Sequence, residues 1–159
     1  MDFTLSTKER MLLEDEKSHE QMCIEKYTNY ANLAKDVQLQ QLFNTNAQAE
    51  RTHLDTINQL LSGTIPQMNQ QQNQGSQQQP ANQNMNNNAQ AGGINFSDAS
   101  MCKDLLMAEK YVSGTYDTAI FEFRDPRVRD VLNHIQKEEQ KHGESIFKYM
   151  ESKGMYNVQ

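Results

Sequence analysis

Two Glu-x-x-His steps, Glu50-Arg51-Thr52-His53 and Glu139-Gln140-Lys141-His142, lie 89 residues apart in this chain. The same shift superposes Glu20 on Glu109, Tyr27 on Tyr116 and Asp36 on Asp125. A unit that recurs with its turn residues in register is one supersecondary motif used twice. Here the motif is an αα-hairpin, because each turn acid separates two stretches with apolar residues at helical spacing. On a helix, residues three apart share a face, so each step can aim a carboxylate and an imidazole at one point. Two hairpins joined by a long connection describe an all-α four-helix bundle with one long crossover.

The helix boundaries follow from capping chemistry. Ser6-Thr7-Lys8-Glu9 is a capping box and opens the first helix. Its apolar or small stripe is Leu13, Cys23, Ile24, Tyr27, Ala31 and Ala34. Asp36 caps the second helix, which carries Leu39, Leu42, Phe43, Ala47, Leu54, Ile57 and Leu61 and stops at Gly63 with Pro66 behind it. Ser97 and Asp98 open the third helix, with Leu105, Leu106, Val112, Tyr116, Ala119, Ile120 and Phe123 on its stripe, and it ends at Arg124. Asp125-Pro126 starts the fourth, an N-cap acid followed by proline at the first helical position. That helix buries Val128, Val131, Leu132, Ile135, Ile146, Phe147 and Met150 and stops at Lys153-Gly154. Hairpin 1 therefore spans residues 6–63 and hairpin 2 residues 97–154, within one domain covering 1–159. Between them, residues 64–96 are more than half Gln and Asn and lose all periodicity. Such a composition buries too little apolar surface to offset the entropy of ordering, and is read as a disordered linker.

Other classes of function are disfavoured by composition. A formal net charge of −6 is the wrong sign for nucleic acid. No apolar run is long enough to span a membrane, and the first residues lack the pattern of a secretory signal. Cys23 and Cys102 form neither a metal-type pair nor a disulfide framework, and read as buried thiols.

At 1.5 Å per residue, Glu20 lies about 24 Å before the Asp36 turn, while Glu50 and His53 lie about 21 and 26 Å after it. The three are level. The same spacing holds for Glu109, Glu139 and His142 about Asp125. All four carboxylates share faces with core residues, where unpaired charges would be costly. Two divalent cations would supply the missing positive charge. Four carboxylates and two imidazoles form an oxygen-rich shell that suits two iron or manganese ions. The candidate metal ligands are thus Glu20, Glu50, His53, Glu109, Glu139 and His142. Tyr27 and Tyr116, two turns after the carboxylate of their own helix, can reach across the bundle and orient a ligand; the alternative is an ordinary core aromatic with a wet tip. His19 and His134 fall off these faces and read as surface residues. Glu16 reads as a helix-surface charge, and Glu25, Glu138 and Glu144 as solvated.

Residues 103–159 resemble the spore coat protein F (Coat F) family of spore-forming Firmicutes. The resemblance rests on Leu105-Leu106, Glu109-Lys110, Val112-Ser113, Tyr116 to Ile120, Pro126 to Asn133, Ile146 to Met150, Lys153-Gly154 and Tyr156. It implies a ferritin-like fold and a place in the endospore coat after synthesis in the mother-cell cytoplasm, with other coat proteins or further copies of the chain as partners. The first hairpin, with Glu20, Tyr27-Thr28, Tyr30-Ala31 and Ala34-Lys35 and then Glu50 to His53, is similar to rubrerythrins, which implies the same six ligands. The paired Cys-x-x-Cys motifs of the rubrerythrin electron-feeding domain are missing. Two functions are expected: a coat component that holds a di-iron or di-manganese centre, or a di-metal oxidoreductase that reduces peroxide or oxidises Fe²⁺.

Overall fold

In a computed structural model, which describes residues 2–67 and 97–159, four helices occur in the order α1 (Thr7–Leu33), α2 (Val37–Leu61), α3 (Asp98–Glu122) and α4 (Pro126–Ser152). The caps are those the sequence calls for. Ser6 and Glu9 close a reciprocal capping box on α1. Asp36 and Asp125 each accept a hydrogen bond from the backbone two residues on. α2 and α4 end on glycines with left-handed φ, 79° at Gly63 and 68° at Gly154. In each case the following amide, Thr64 or Met155, bonds back to a carbonyl five residues earlier, the bond that closes a Schellman cap. α3 ends at Glu122, with Phe123 as its cap, slightly before the expected Arg124.

α1 packs antiparallel on α2, and α3 on α4. The hairpins then meet along α1–α3 and α2–α4. Both of these pairs are also antiparallel, since Glu9 contacts Arg124 and Lys35 contacts Asp98 at opposite ends, while His53 meets Glu138 and Asn46 meets Ser145. The chain therefore leaves α2 at one end of the bundle and enters α3 at the other.

Two latches tie the hairpins at these ends, and they obey the 89-residue repeat. The Glu9 carboxylate accepts from the Arg124 amide at 3.0 Å and from its guanidinium at 2.9 Å. Its counterpart Asp98 accepts from the amides of Lys35 and Asp36 at 2.9 and 3.1 Å. Each hairpin's first turn thus satisfies backbone donors of the other hairpin's loop, which would otherwise lack a partner.

The core holds most of the expected stripes, with Tyr27, Tyr116, Phe43, Leu13, Leu105 and Leu132 fully buried, whereas Ile24, Leu54 and Phe147 are only half-buried and stand outside it. Cys23 and Cys102 are buried free thiols. Among the described residues, no helix is long and apolar enough to cross a membrane. The expected linker over 64–96 falls mostly outside the described residues. Its first residues are tied down rather than loose: Ile65 donates its amide to Asp2 at 2.9 Å, Asp2 bonds the Gly63 carbonyl at 2.8 Å, and Pro66 is buried.

Candidate metal centre

Each ligand candidate sits on the buried stripe of its own helix because it recurs at the same spacing as the core residues around it: Glu20 between Leu13 and Tyr27, Glu50 between Phe43 and Ile57. The bundle closes those stripes on one another, and all six candidates meet at mid-height. They form two overlapping groups, Glu20–Glu50–His53–Glu139 and Glu50–Glu109–Glu139–His142, with donor atoms in each group within 4.8 Å of one another. Glu50 and Glu139 belong to both. The two imidazoles stack, with centroids 5.7 Å apart and planes at 25°.

Both histidines turn Nδ1 inward. His53 Nδ1 lies 3.0 Å from Glu50, 3.2 Å from Glu139 and 3.7 Å from Glu20. His142 Nδ1 lies 3.2 Å from Glu50, 3.3 Å from Glu139 and 3.4 Å from Glu109. The tyrosines reach across between hairpins: the Tyr27 hydroxyl donates to Glu109 and the Tyr116 hydroxyl to Glu20. The two outermost carboxylates are therefore each fixed by an aromatic hydroxyl from the opposite hairpin.

The electrostatics follow from burial. Burial pushes the Glu20 and Glu109 carboxyls well above the usual range, and repulsion from the Glu50 and Glu139 carboxylates adds to it. Burial acts on Glu50 and Glu139 in the same direction, but bonds to both imidazoles outweigh it and hold these two below the usual range. The imidazoles feel the converse. Burial disfavours their charged form, yet the surrounding carboxylates push His142 up to about 12 and His53 higher still. Among the described residues, three carboxylate oxygens, Oε2 of Glu20, Glu109 and Glu139, are buried without a hydrogen bond, although His53 Nδ1 lies 3.7 Å from the first and His142 Nδ1 3.3 Å from the last. Such orphans are rare in folded proteins and each needs an explanation.

Several neighbours differ from expectation. Glu138, expected to be solvated, accepts from His53 Nε2 at 2.8 Å, and so holds the ring with Nδ1 facing the cluster. Glu16 is buried at 1% exposure instead of lying on the surface. It accepts from the Thr115 hydroxyl at 3.1 Å and lies 3.3 Å from the half-buried His19, and burial pushes its carboxyl up to about 8. Asn46, one turn before Glu50, is buried and donates to the Tyr27 hydroxyl at 3.3 Å. Its signal was a polar residue on the apolar stripe between Phe43 and Glu50. His134 is half exposed, with Glu138 at 3.4 Å, and Glu25 and Glu144 are exposed as expected.

No curated protein matches the chain. Among solved structures, it is similar to a two-domain protein from Anabaena variabilis ATCC 29413 containing DJ-1/ThiJ/PfpI-like and ferritin-like domains. The TM-score is 0.69 at 14% identity, over 97% of this chain and 40% of that protein, a likeness of fold. Together with the helix order and the crossover, it gives this chain a ferritin-like fold whose second hairpin, residues 97–159, matches the Coat F domain.

Proposed function

We propose that the bundle binds two divalent ions, iron or manganese, in a protein of the bacterial spore coat. Glu20 and His53 would hold one ion, Glu109 and His142 the other, with Glu50 and Glu139 between them. The observation that carries this is the pair of overlapping buried four-residue groups with three orphaned carboxylate oxygens. Two divalent cations give those oxygens a partner. They also supply positive charge to a set of four buried carboxyls. An oxygen-rich set with only two nitrogens favours iron or manganese over a closed zinc site.

The coat assignment rests on the Coat F match of the second hairpin. In this reading the chain works as one domain, is made in the mother cell, and has other coat proteins as neighbours. Metal analysis of protein produced with iron and manganese available tests the centre. Two ions per chain are expected, and none in a Glu50→Ala, His142→Ala variant. A wild-type chain that carries no metal sinks the proposal.

A second reading, an oxidoreductase acting on peroxide or Fe²⁺, is favoured by the tyrosine brace on both outer carboxylates. Bound metals would supply the redox electrons. The protein's part is to exclude water, hold the carboxylates through Tyr27 and Tyr116, and take up the protons that charge balance requires. Consumption of hydrogen peroxide by the metal-loaded chain, absent in the double variant, would separate turnover from a purely structural centre.

A further inference from the structure

The face of α3 turned away from the bundle carries a stripe with alternating steps of four and three residues: Met107, Tyr111, Gly114, Thr118 and Phe121. That is the spacing with which one helix meets another. All five are exposed, Met107 at 69%, Tyr111 at 62% and Phe121 at 84%. Single exposed apolar side chains are ordinary, but a contiguous apolar patch marks a site of interaction.

The internal repeat shows that the bundle itself does not call for this stripe. The matching positions of α1 are Ser18, Met22, Glu25, Asn29 and Asn32. Four of them are polar, and Met22 is half-buried against the core. Gly114 lies at the centre of the α3 stripe. No positive φ requires glycine there, and a Cβ would meet nothing within 4 Å. Glycine weakens the interior of a helix, so its place on an open face fits a point where another backbone comes close. Thr118 adds little polarity, because its hydroxyl bonds the Gly114 carbonyl at 3.2 Å.

We propose that a second copy of this chain docks on this face, α3 against α3 and antiparallel, about a two-fold axis through Gly114. The stripe matches itself when reversed. Met107 and Phe121 each lie seven residues from the glycine, about 10.5 Å along the helix. Met107 of one copy therefore faces Phe121 of the other, a favourable sulfur–aromatic contact. Tyr111 falls opposite Thr118 in the same way. Charge selects this arrangement. Lys110 and Asp117 lie two turns apart on one flank of the stripe, four residues before Gly114 and three after it. Among the described residues neither has an ion pair within its own chain. A two-fold axis lying across the interface sets this flank against its own copy at nearly equal height, so Lys110 of each copy meets Asp117 of the other. The counterparts on α1, Gln21 and Thr28, carry no charge. One helix pair falls below the roughly 1,200 Å² of stable interfaces, so the dimer forms at high chain concentration and is not permanent.

The test is sedimentation equilibrium of the full chain from micromolar to millimolar concentration, where a monomer–dimer equilibrium is expected. Phe121→Glu sets a carboxylate into the apolar contact twice and should weaken association by roughly tenfold or more. Lys110→Glu or Asp117→Lys alone brings like charges together and should also weaken it. The two substitutions combined exchange the partners and should restore wild-type association, an outcome that a general loss of helix stability would not produce. A wild-type chain that stays monomeric across the range would overturn the proposal. So would association that persists in Phe121→Glu, which would place it on another surface, or a charge exchange that fails to restore it.

Discussion

The His53 half and the His142 half of the cluster have the same inward-facing residue types but not the same surroundings. Each has an imidazole with Nδ1 inward, an outer carboxylate fixed by a tyrosine of the opposite hairpin, and the shared pair Glu50 and Glu139. Behind His53 stands Glu138, 2.8 Å from Nε2. The matching position behind His142 is Ala49. The His142 half instead has Asn46 on the hydroxyl of Tyr27, where the other half has Ile135 at the matching place. It also borders an apolar groove lined by Leu106, Gly143, Phe147 and Tyr156. The repeat thus keeps the groups that face the centre, while the outward supports differ: the imidazole of one half is braced from behind and that of the other is not.

The comparison breaks most completely at the shared residues. Glu50→Ala removes a ligand of both groups and should abolish binding of both ions, whereas Glu20→Ala should cost only the ion on the His53 side; elemental analysis per chain reads the difference. The loss should also appear in thermal unfolding. An ion present at about a thousand times its Kd adds about 4 kcal/mol of stability, so a chelator should lower the wild-type melting temperature and leave that of Glu50→Ala unchanged. Equal losses from Glu20→Ala and Glu50→Ala would mean that the groups do not fill separately.

A smaller effect should separate the halves. Glu138→Gln keeps the shape of the side chain but removes the charge that holds His53. Loss of such a support typically lowers metal affinity about 10- to 100-fold. The weakening should fall on the His53 ion alone, seen as one tight and one weak step in a metal titration. The converse variant, Ala49→Glu, offers His142 the partner it lacks and should strengthen the second step by about tenfold at most. If Glu138→Gln weakens both steps alike, the imidazole support is not local to its half.

What the sequence revealed and what it hid divide along the same line. The meeting of the candidate residues was legible because each hairpin fixes its own internal level: the turn acid and the helical rise put Glu20 beside Glu50 and His53 without knowledge of the other hairpin. The tyrosine bridges were only half legible: a hydroxyl two turns from each carboxylate fits a reach across the bundle or an ordinary core aromatic, and the bonds to Glu109 and Glu20 of the opposite hairpin decide for the reach. Glu138 was not, because its partner lies across the α2–α4 contact, and periodicity within one helix does not say how two hairpins sit together. Glu16 was misread from its residue type. It lies one turn before Glu20 on the same face, and only the packing of Thr115 opposite it shows that it is covered. Composition placed the start of the linker at Thr64, but the bonds of Asp2 to Gly63 and Ile65 hold the first of those residues against the bundle.

The latches give the comparison its mildest test, away from the cluster. Glu9 and Asp98 occupy matching positions and both accept from the opposite loop, but only Glu9 also engages a side chain, Arg124. The bond to Arg124 outweighs the burial of Glu9 and holds its carboxyl at about 2, below an ordinary value of 4.5. A carboxyl whose folded value is depressed stabilises the fold above its unfolded value, and that contribution disappears as the pH falls through the folded one. The Glu9 latch should therefore act fully above about pH 4.5 and fade towards pH 2. Because the Arg124 side chain is 68% exposed, screening limits the contribution to about 1 kcal/mol. Glu9→Gln should lower stability by that amount at pH 7, and the gap from wild type should close on acidification, as followed by urea unfolding at a series of pH values. A gap that stays constant down to pH 2 would show that Glu9 acts through its cap on Ser6 and not through Arg124.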